Sequence, residues 1–128
     1  MWTWITIAGF AILGAWARYG QSILVQEVFG RAFPWATLSI NVLGSFLMGF
    51  LFFETVDRIN MDPSLRTGIL TGGLGAYTTF STFALENLVL LQDGEAAKAA
   101  LYVTASNILG IGAAIGGAWI ASNIYGDT

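Results

Sequence analysis

The residues from Thr71 to Phe83 do not suit a plain apolar helix, yet they lie in the middle of an apolar segment running from Leu65 to Leu91. Gly72, Gly73 and Gly75 fall within four positions. Each costs a helix roughly 1 kcal/mol relative to alanine. Thr78, Thr79, Ser81 and Thr82 follow, interleaved with Phe80 and Phe83. Lipid cannot hydrogen-bond peptide groups, so backbone that leaves the helix inside a bilayer must be buried in protein or line a polar cavity. Broken helices at mid-membrane are also where ion and substrate sites form. The sequence therefore predicts a helix broken from Gly72 to Thr78 that restarts at Thr79.

Composition supports a membrane setting. Of 128 residues, 55% are hydrophobic and 10% charged, with a mean hydropathy of +0.68. The length fits one domain, residues 1–128. There is no cysteine and no histidine. Disulfides, the usual zinc sites, His-based triads and Cys nucleophiles are thereby excluded. Paired carboxylates and a phosphate-binding loop are also lacking, so the chain reads as no enzyme. Five scattered basic residues and a net charge of −3 give no basic patch for nucleic acid.

Four sparsely charged stretches, Trp4–Val25, Phe33–Phe53, Leu65–Leu91 and Ala99–Ile124, are each near the ~20 residues that cross ~30 Å of hydrocarbon. The expected fold is an all-α integral membrane protein with four spans, the third one broken. Ala15-Trp16-Ala17 has the small-x-small form of a signal cleavage site, but no Lys or Arg precedes it. The first stretch is read as a retained span. Pro34 suits a first helical turn, and Asp62-Pro63 and Asp93-Gly94 read as turns.

An even span count puts both termini and the second connection on one side, with Arg58 and Arg66. The other side carries Arg31 and Lys98, and also Arg18 if the end of its span is counted. Lys/Arg asymmetry normally sets orientation. This balance gives almost no instruction, so the expectation is insertion in both orientations and pairing as an antiparallel homodimer. Small residues suit close helix packing: Gly9 and Gly14 in the first span, Gly44 and Gly49 in the second, and the Gly112-to-Gly116 GxxxG pattern in the fourth.

Polar residues inside the spans form stripes. Thr37, Asn41 and Ser45 share a helical face at i, i+4, i+8. Helix-to-helix adhesion and a pathway lining both explain such a stripe. Past the break, Phe80, Phe83 and Asn87 form one stripe and Thr79, Thr82 and Glu86 the next. Aromatic ring edges carry positive potential and attract a small anion without a fixed charge. Glu86 is the one acid well inside a span; it fits a proton carrier, a partner of Arg18, or an interfacial hydrogen-bonded group. Arg18 is placed to snorkel outward or draw anions to a vestibule. Tyr102 and Ser106 share a face of the fourth span, and Thr104 and Asn107 another. This inventory of neutral donors with few full charges differs from the acidic and basic rings of many pores. It suits a small, strongly hydrated anion that must shed water and still be released.

The run Gly72-Gly73-Leu74-Gly75-Ala76-Tyr77-Thr78-Thr79-Phe80-Ser81-Thr82-Phe83, followed by Glu86, resembles the signature of the CrcB/Fluc fluoride channels. Asn41-Val42-Leu43-Gly44-Ser45 and Ala17-Arg18-Tyr19 resemble that family's other two motifs. The likeness covers essentially the whole chain in span number, length and motif order. It implies a dual-topology homodimer with two antiparallel fluoride pores. It further implies a structural, untransported sodium ion at the dimer centre, held by backbone carbonyls of Gly75 and Thr78. By the same resemblance Phe80 and Phe83 face fluoride through ring edges and Asn41 is a pore asparagine. Thr79, Ser81 and Thr82 fall where hydroxyls line the route, with Tyr102, Ser106 and Thr37 as further lining groups. Arg18 and Glu86 serve as vestibule or supporting residues. Gly110-Ile111-Gly112 stands where some relatives have a serine, so the outer polar path departs from theirs.

The resulting expectation is passive fluoride export across a bacterial inner membrane. One rival is a dual-topology, proton-coupled exporter of small cationic molecules using Glu86. Another is a structural or assembly subunit whose polar stripes only hold helices together.

Overall fold

A computed structural model describes residues 1–57 and 59–124. Arg58, one of the residues in the charge balance, lies outside the described residues. The elements are α1 (Trp2–Phe29), α2 (Trp35–Asp57), α3 (Pro63–Thr67), a π-helical stretch (Gly68–Leu74), α4 (Gly75–Tyr77), α5 (Phe80–Gln92) and α6 (Ala96–Ile124). No strand occurs among the described residues. Trp35–Thr55 and Ala96–Ile124 are each long and apolar enough to cross a membrane. The other two expected spans are a continuous 28-residue helix, α1, and the run of shorter pieces from α3 to α5. Only 11% of the most apolar stretch of α6 is buried. A soluble core helix would hide such a surface; an apolar helix exposed on most sides fits a lipid environment.

Local chemistry explains the element ends. Gly30 and Gly94 adopt φ of 76° just past α1 and α5, a left-handed turn that glycine takes without a Cβ penalty. Asp62 Oδ2 accepts the Leu65 N–H at 3.1 Å with Pro63 as the next residue, which starts α3. Pro34 precedes α2, and its carbonyl accepts the Leu38 N–H at 3.2 Å. Lys98 Nζ donates to the Ala32 carbonyl at 3.4 Å, which brings the α1–α2 and α5–α6 connections to one end of the bundle. Thr3 and Ser64 share a hydroxyl hydrogen bond of 2.6 Å, which joins the start of α1 to the first turn of α3.

α2 packs most extensively on α6, and α1 on the π-helical stretch. Both seams depend on missing side chains. A Cβ on Gly49 would collide with the Ala114 carbonyl, and one on Gly117 with the Phe46 carbonyl. A Cβ on Gly14 would strike the Gly73 carbonyl and sit 3.1 Å from Tyr77 N. Gly112 and Gly116, the expected GxxxG contact, have nothing within 4 Å of a built Cβ. The seam falls one residue later, at Gly117, because that is the position which faces α2. Ile40, Leu70, Leu74 and Tyr77 form the buried core behind the break.

The glycine-rich run does not itself leave the helix. From Gly68 to Leu74 the backbone stays helical but widens to π geometry, and Gly75–Tyr77 adds one α turn. The break is two residues long. Thr78 (φ −82°, ψ 161°) and Thr79 (φ −151°, ψ 121°) are extended, and α5 restarts at Phe80. The glycines are needed elsewhere: Cβ atoms at Gly68 and Gly72 would run into Thr6 and Ile7 of α1.

Candidate functional site

The break is built by exchange of hydrogen bonds. In a continuous helix the Thr79 N–H would bond to the Gly75 carbonyl. Here it donates to Asn41 Oδ1 at 2.8 Å, and Asn41 Nδ2 donates back to the Thr79 carbonyl at 2.9 Å. One N–H of the Asn41 amide is left over. The Thr79 hydroxyl caps α5, accepting the Thr82 N–H at 3.2 Å and donating to Thr82 Oγ1 at 3.1 Å. A helix start leaves four N–H groups without intrahelical partners. Those of Thr79 and Thr82 are used as described, and no acceptor is bonded to those of Phe80 and Ser81 among the described residues. The N-terminus of a helix carries partial positive charge that favours an anion.

Beside this turn lies an open groove of about 420 Å³, to which Asn41, Ser45, Thr79, Phe80, Phe83 and Ser106 contribute. Ser106 borders the groove, and its Oγ is buried without a hydrogen-bond partner among the described residues. Phe80 is 80% exposed. Its ring centroid is 5.7 Å from that of Phe83 at 44°. Phe83 in turn stands edge-on to Tyr102 at 5.0 Å and 64°.

A second cavity of about 210 Å³ opens on the other flank of Thr79, lined by Arg18, Ser22, Thr37 and Thr82 among others. The stripe expected on α2 is thus divided: Thr37 faces the second cavity, Asn41 and Ser45 the groove, and Thr79 touches both. Tyr102 lines neither cavity. It is fully buried, and its hydroxyl donates to Glu86 Oε1 at 3.0 Å. Glu86 lies away from the groove, in a third cavity with Arg31 and Lys98. Ser81 is exposed, with its hydroxyl 3.5 Å from that of Thr79.

Gly75 is exposed, and its carbonyl has lost its helical donor to Asn41. The Thr78 N–H and hydroxyl both donate to the Leu74 carbonyl at 3.0 Å and so close the preceding helix, while its own carbonyl, past an extended ψ of 161°, accepts no hydrogen bond among the described residues. No cluster of three or more His, Cys, Asp or Glu exists among the described residues. A cation at the break would therefore be held by carbonyl and hydroxyl oxygens, the donor set that suits a hard ion.

The sequence stripes did not reveal the far side of the break. Tyr77 donates its hydroxyl to Gln21 Oε1, and Gln21 Nε2 donates to Ser39 Oγ at 3.1 Å. The available signal was Gln21 itself, the one glutamine in the first apolar stretch, two helical turns beyond Gly14.

The chain matches the family described as "CrcB-like protein, Camphor Resistance (CrcB)" over residues 5–118. It belongs to the CrcB family. A CrcB-family relative from Acidithiobacillus ferrooxidans, named fluoride-specific ion channel FluC, is 71% identical over 115 residues, covering 90% of this chain and 92% of its own. Relatives of the same name from Magnetococcus marinus and Koribacter versatilis are 48% and 40% identical, over 83% and 94% of this chain and 85% and 94% of theirs. The signature run, the α2 asparagine and the α1 arginine that resembled this family thus meet around one helix break.

Proposed function

We propose that the protein is a fluoride-selective channel that lets cytoplasmic fluoride leave a bacterial cell passively across the inner membrane. The observation that carries this reading is the groove at the break. It is lined by Phe80, whose N–H has no acceptor among the described residues, by Phe83, and by Asn41, Ser45 and Ser106, and no charged side chain is among its lining residues. Neutral donors and ring edges replace part of an anion's hydration without trapping it. The names of the relatives supply the ion. Fluoride that enters as neutral HF dissociates in a less acidic cytoplasm and accumulates, and a selective channel returns it down its electrochemical gradient.

In this reading each chain crosses the membrane four times and two chains pair in opposite orientations, giving two pores. The groove is open on one side, and Phe80 and Gly75 are exposed beside it; a second copy would close it. Sodium, where bound, would lie at the dimer centre against the Gly75 and Thr78 carbonyls of both copies. It would supply fixed positive charge there and hold the two breaks together. The freed Gly75 carbonyl fits such an ion, and no Asp or Glu is among the residues lining the groove beside it.

Asn41 and Thr79 hold the break open, Thr37, Thr82 and Arg18 form the entrance on the second flank, and Phe80, Phe83 and Ser106 line the groove. The deciding experiment is efflux from liposomes of purified protein, read with a fluoride electrode. Fluoride flux with chloride excluded is expected; equal chloride flux, or none of either, overturns the assignment. Replacing sodium with a large organic cation should halt flux or loosen the dimer, and full activity without sodium removes the central ion.

A further inference from the structure

We propose that Gln21 is a positioning residue that fixes the Thr78 carbonyl from the side opposite Asn41. Three hydrogen bonds run in one direction across three helices. Tyr77 donates to Gln21 Oε1. Gln21 Nε2 donates to Ser39 Oγ at 3.1 Å. Ser39 Oγ donates to the Ala36 carbonyl at 2.8 Å. Each link sets the polarity of the next. Ser39 spends its only proton on Ala36, so it can only accept from Gln21. The Gln21 amide must then turn its NH₂ toward Ser39 and its oxygen toward Tyr77. The sequence ends on a backbone carbonyl of α2, the helix that also carries Asn41.

The consequence concerns the Thr78 carbonyl: the Thr78 N–H and hydroxyl are anchored on the Leu74 carbonyl at 3.0 Å, but the carbonyl itself accepts no hydrogen bond among the described residues. Both its neighbours are tied to α2: Thr79 directly through Asn41, and Tyr77 through Gln21 and Ser39. Gly14 makes this reach possible. Its lack of a Cβ lets α1 lie against the Gly73 carbonyl and Tyr77 N, and Gln21 follows seven residues later on the same face. Tyr77 is 7% exposed and packs with Ile40, Leu70 and Leu74, so its ring is held while its hydroxyl transmits the position of α1. The two clamps leave the Thr78 peptide one orientation, and a carbonyl with one orientation is what a small cation needs as a ligand.

The effect on flux rests on the channel reading; the clamp itself does not. The test uses Tyr77→Phe, which keeps the ring, Gln21→Met, which keeps the approximate volume, their double variant, and Ser39→Ala as a milder removal of the last link. Leu47→Ala, which removes packing against the same core, is the control for general loosening. Amide hydrogen exchange at Thr78 and Thr79, whose N–H groups are bonded to the Leu74 carbonyl and Asn41 Oδ1, should rise at least roughly tenfold in Tyr77→Phe and Gln21→Met, the scale of a lost buried hydrogen bond. The double variant should be no worse than the more damaging single one, because both remove the same unit. Sodium required for half-maximal fluoride efflux should rise in the same order, and Leu47→Ala should lower thermal stability without this change. Unchanged exchange at the break, or effects that simply add, overturns the clamp. If the unsubstituted protein passes no fluoride, the channel reading falls and the exchange rates still decide the clamp.

Discussion

Asn41 and Thr79 are joined by two hydrogen bonds of opposite direction, 2.9 Å from side-chain amide to carbonyl and 2.8 Å from backbone N–H to side-chain oxygen. A single side chain thereby takes over both backbone groups of a residue that has left the helix. Asn41→Ala strands these groups at a residue only 9% exposed. Each bare group costs about 1–3 kcal/mol. A lower thermal midpoint in detergent is expected together with loss of fluoride efflux. A variant that keeps the midpoint and loses flux would make Asn41 a pore donor only.

Phe80 and Phe83 separate conduction from stability. Phe80 is 80% exposed in the single chain, so Phe80→Ile should leave its folding stability within about 0.5 kcal/mol. Phe83 stands edge-on to Tyr102, and Phe83→Ile should lose about 0.5–1.5 kcal/mol from that pair. Both should reduce liposome efflux by about tenfold or more, equivalent to about 1.4 kcal/mol of lost ion interaction. Normal efflux in both removes the ring-edge argument.

Glu86 is bonded to a fully buried tyrosine, and that sets up a contrast of two substitutions. Tyr102→Phe leaves Glu86 Oε1 without its donor and should cost about 1–3 kcal/mol in thermal or denaturant unfolding. Glu86→Gln keeps an acceptor for the Tyr102 hydroxyl and should preserve both stability and fluoride flux. Transport of a small cation that disappears in Glu86→Gln, with no fluoride passage at any stage, would favour the proton-coupled exporter instead.

The glycine seam can be tested by comparing alanine scans along α6. Gly117→Ala would push into the Phe46 carbonyl, while Gly112→Ala and Gly116→Ala meet open space. The first should destabilise by about 1–3 kcal/mol. The other two should be neutral or stabilising by up to about 1 kcal/mol, since alanine favours the helix. Thermal midpoints of the purified variants give the order directly.

Much of this architecture was legible because membrane chains have few ways to place polar groups. The stripe on the second span singled out Asn41 as a polar group needing a partner, and the structure gives it Thr79. The position of the break was less legible. Glycine lowers helix stability, but it also permits close approach, and sequence alone does not separate the two effects. Here Gly68 and Gly72 serve approach to α1, and the break falls at Thr78 and Thr79, where Asn41 supplies the replacement bonds. Within one chain the Gly112-to-Gly116 pair is not the seam, because spacing identifies a close-packing pattern and not the azimuth that faces a neighbour, and α6 turns Gly117 to α2; that pair stays open to a second copy in the proposed dimer. Gln21 and Tyr77 were missed because their partnership spans 56 residues of sequence and forms no periodic stripe.

The π-helical stretch from Gly68 to Leu74 also makes the placement of its glycines a specification of its own. Such a stretch closes its rings over five residues where an α-helix uses four, so it accommodates an extra residue within nearly the same rotation. Losing one residue there with a return to α geometry would leave the Tyr77 hydroxyl and the Thr79 N–H close to their direction toward α1 and α2. What would change is which residues inside the stretch face α1. Gly68 and Gly72 must lie against Thr6 and Ile7, where a Cβ would collide. This segment is therefore expected to hold those two glycines over evolution more strictly than its residue count.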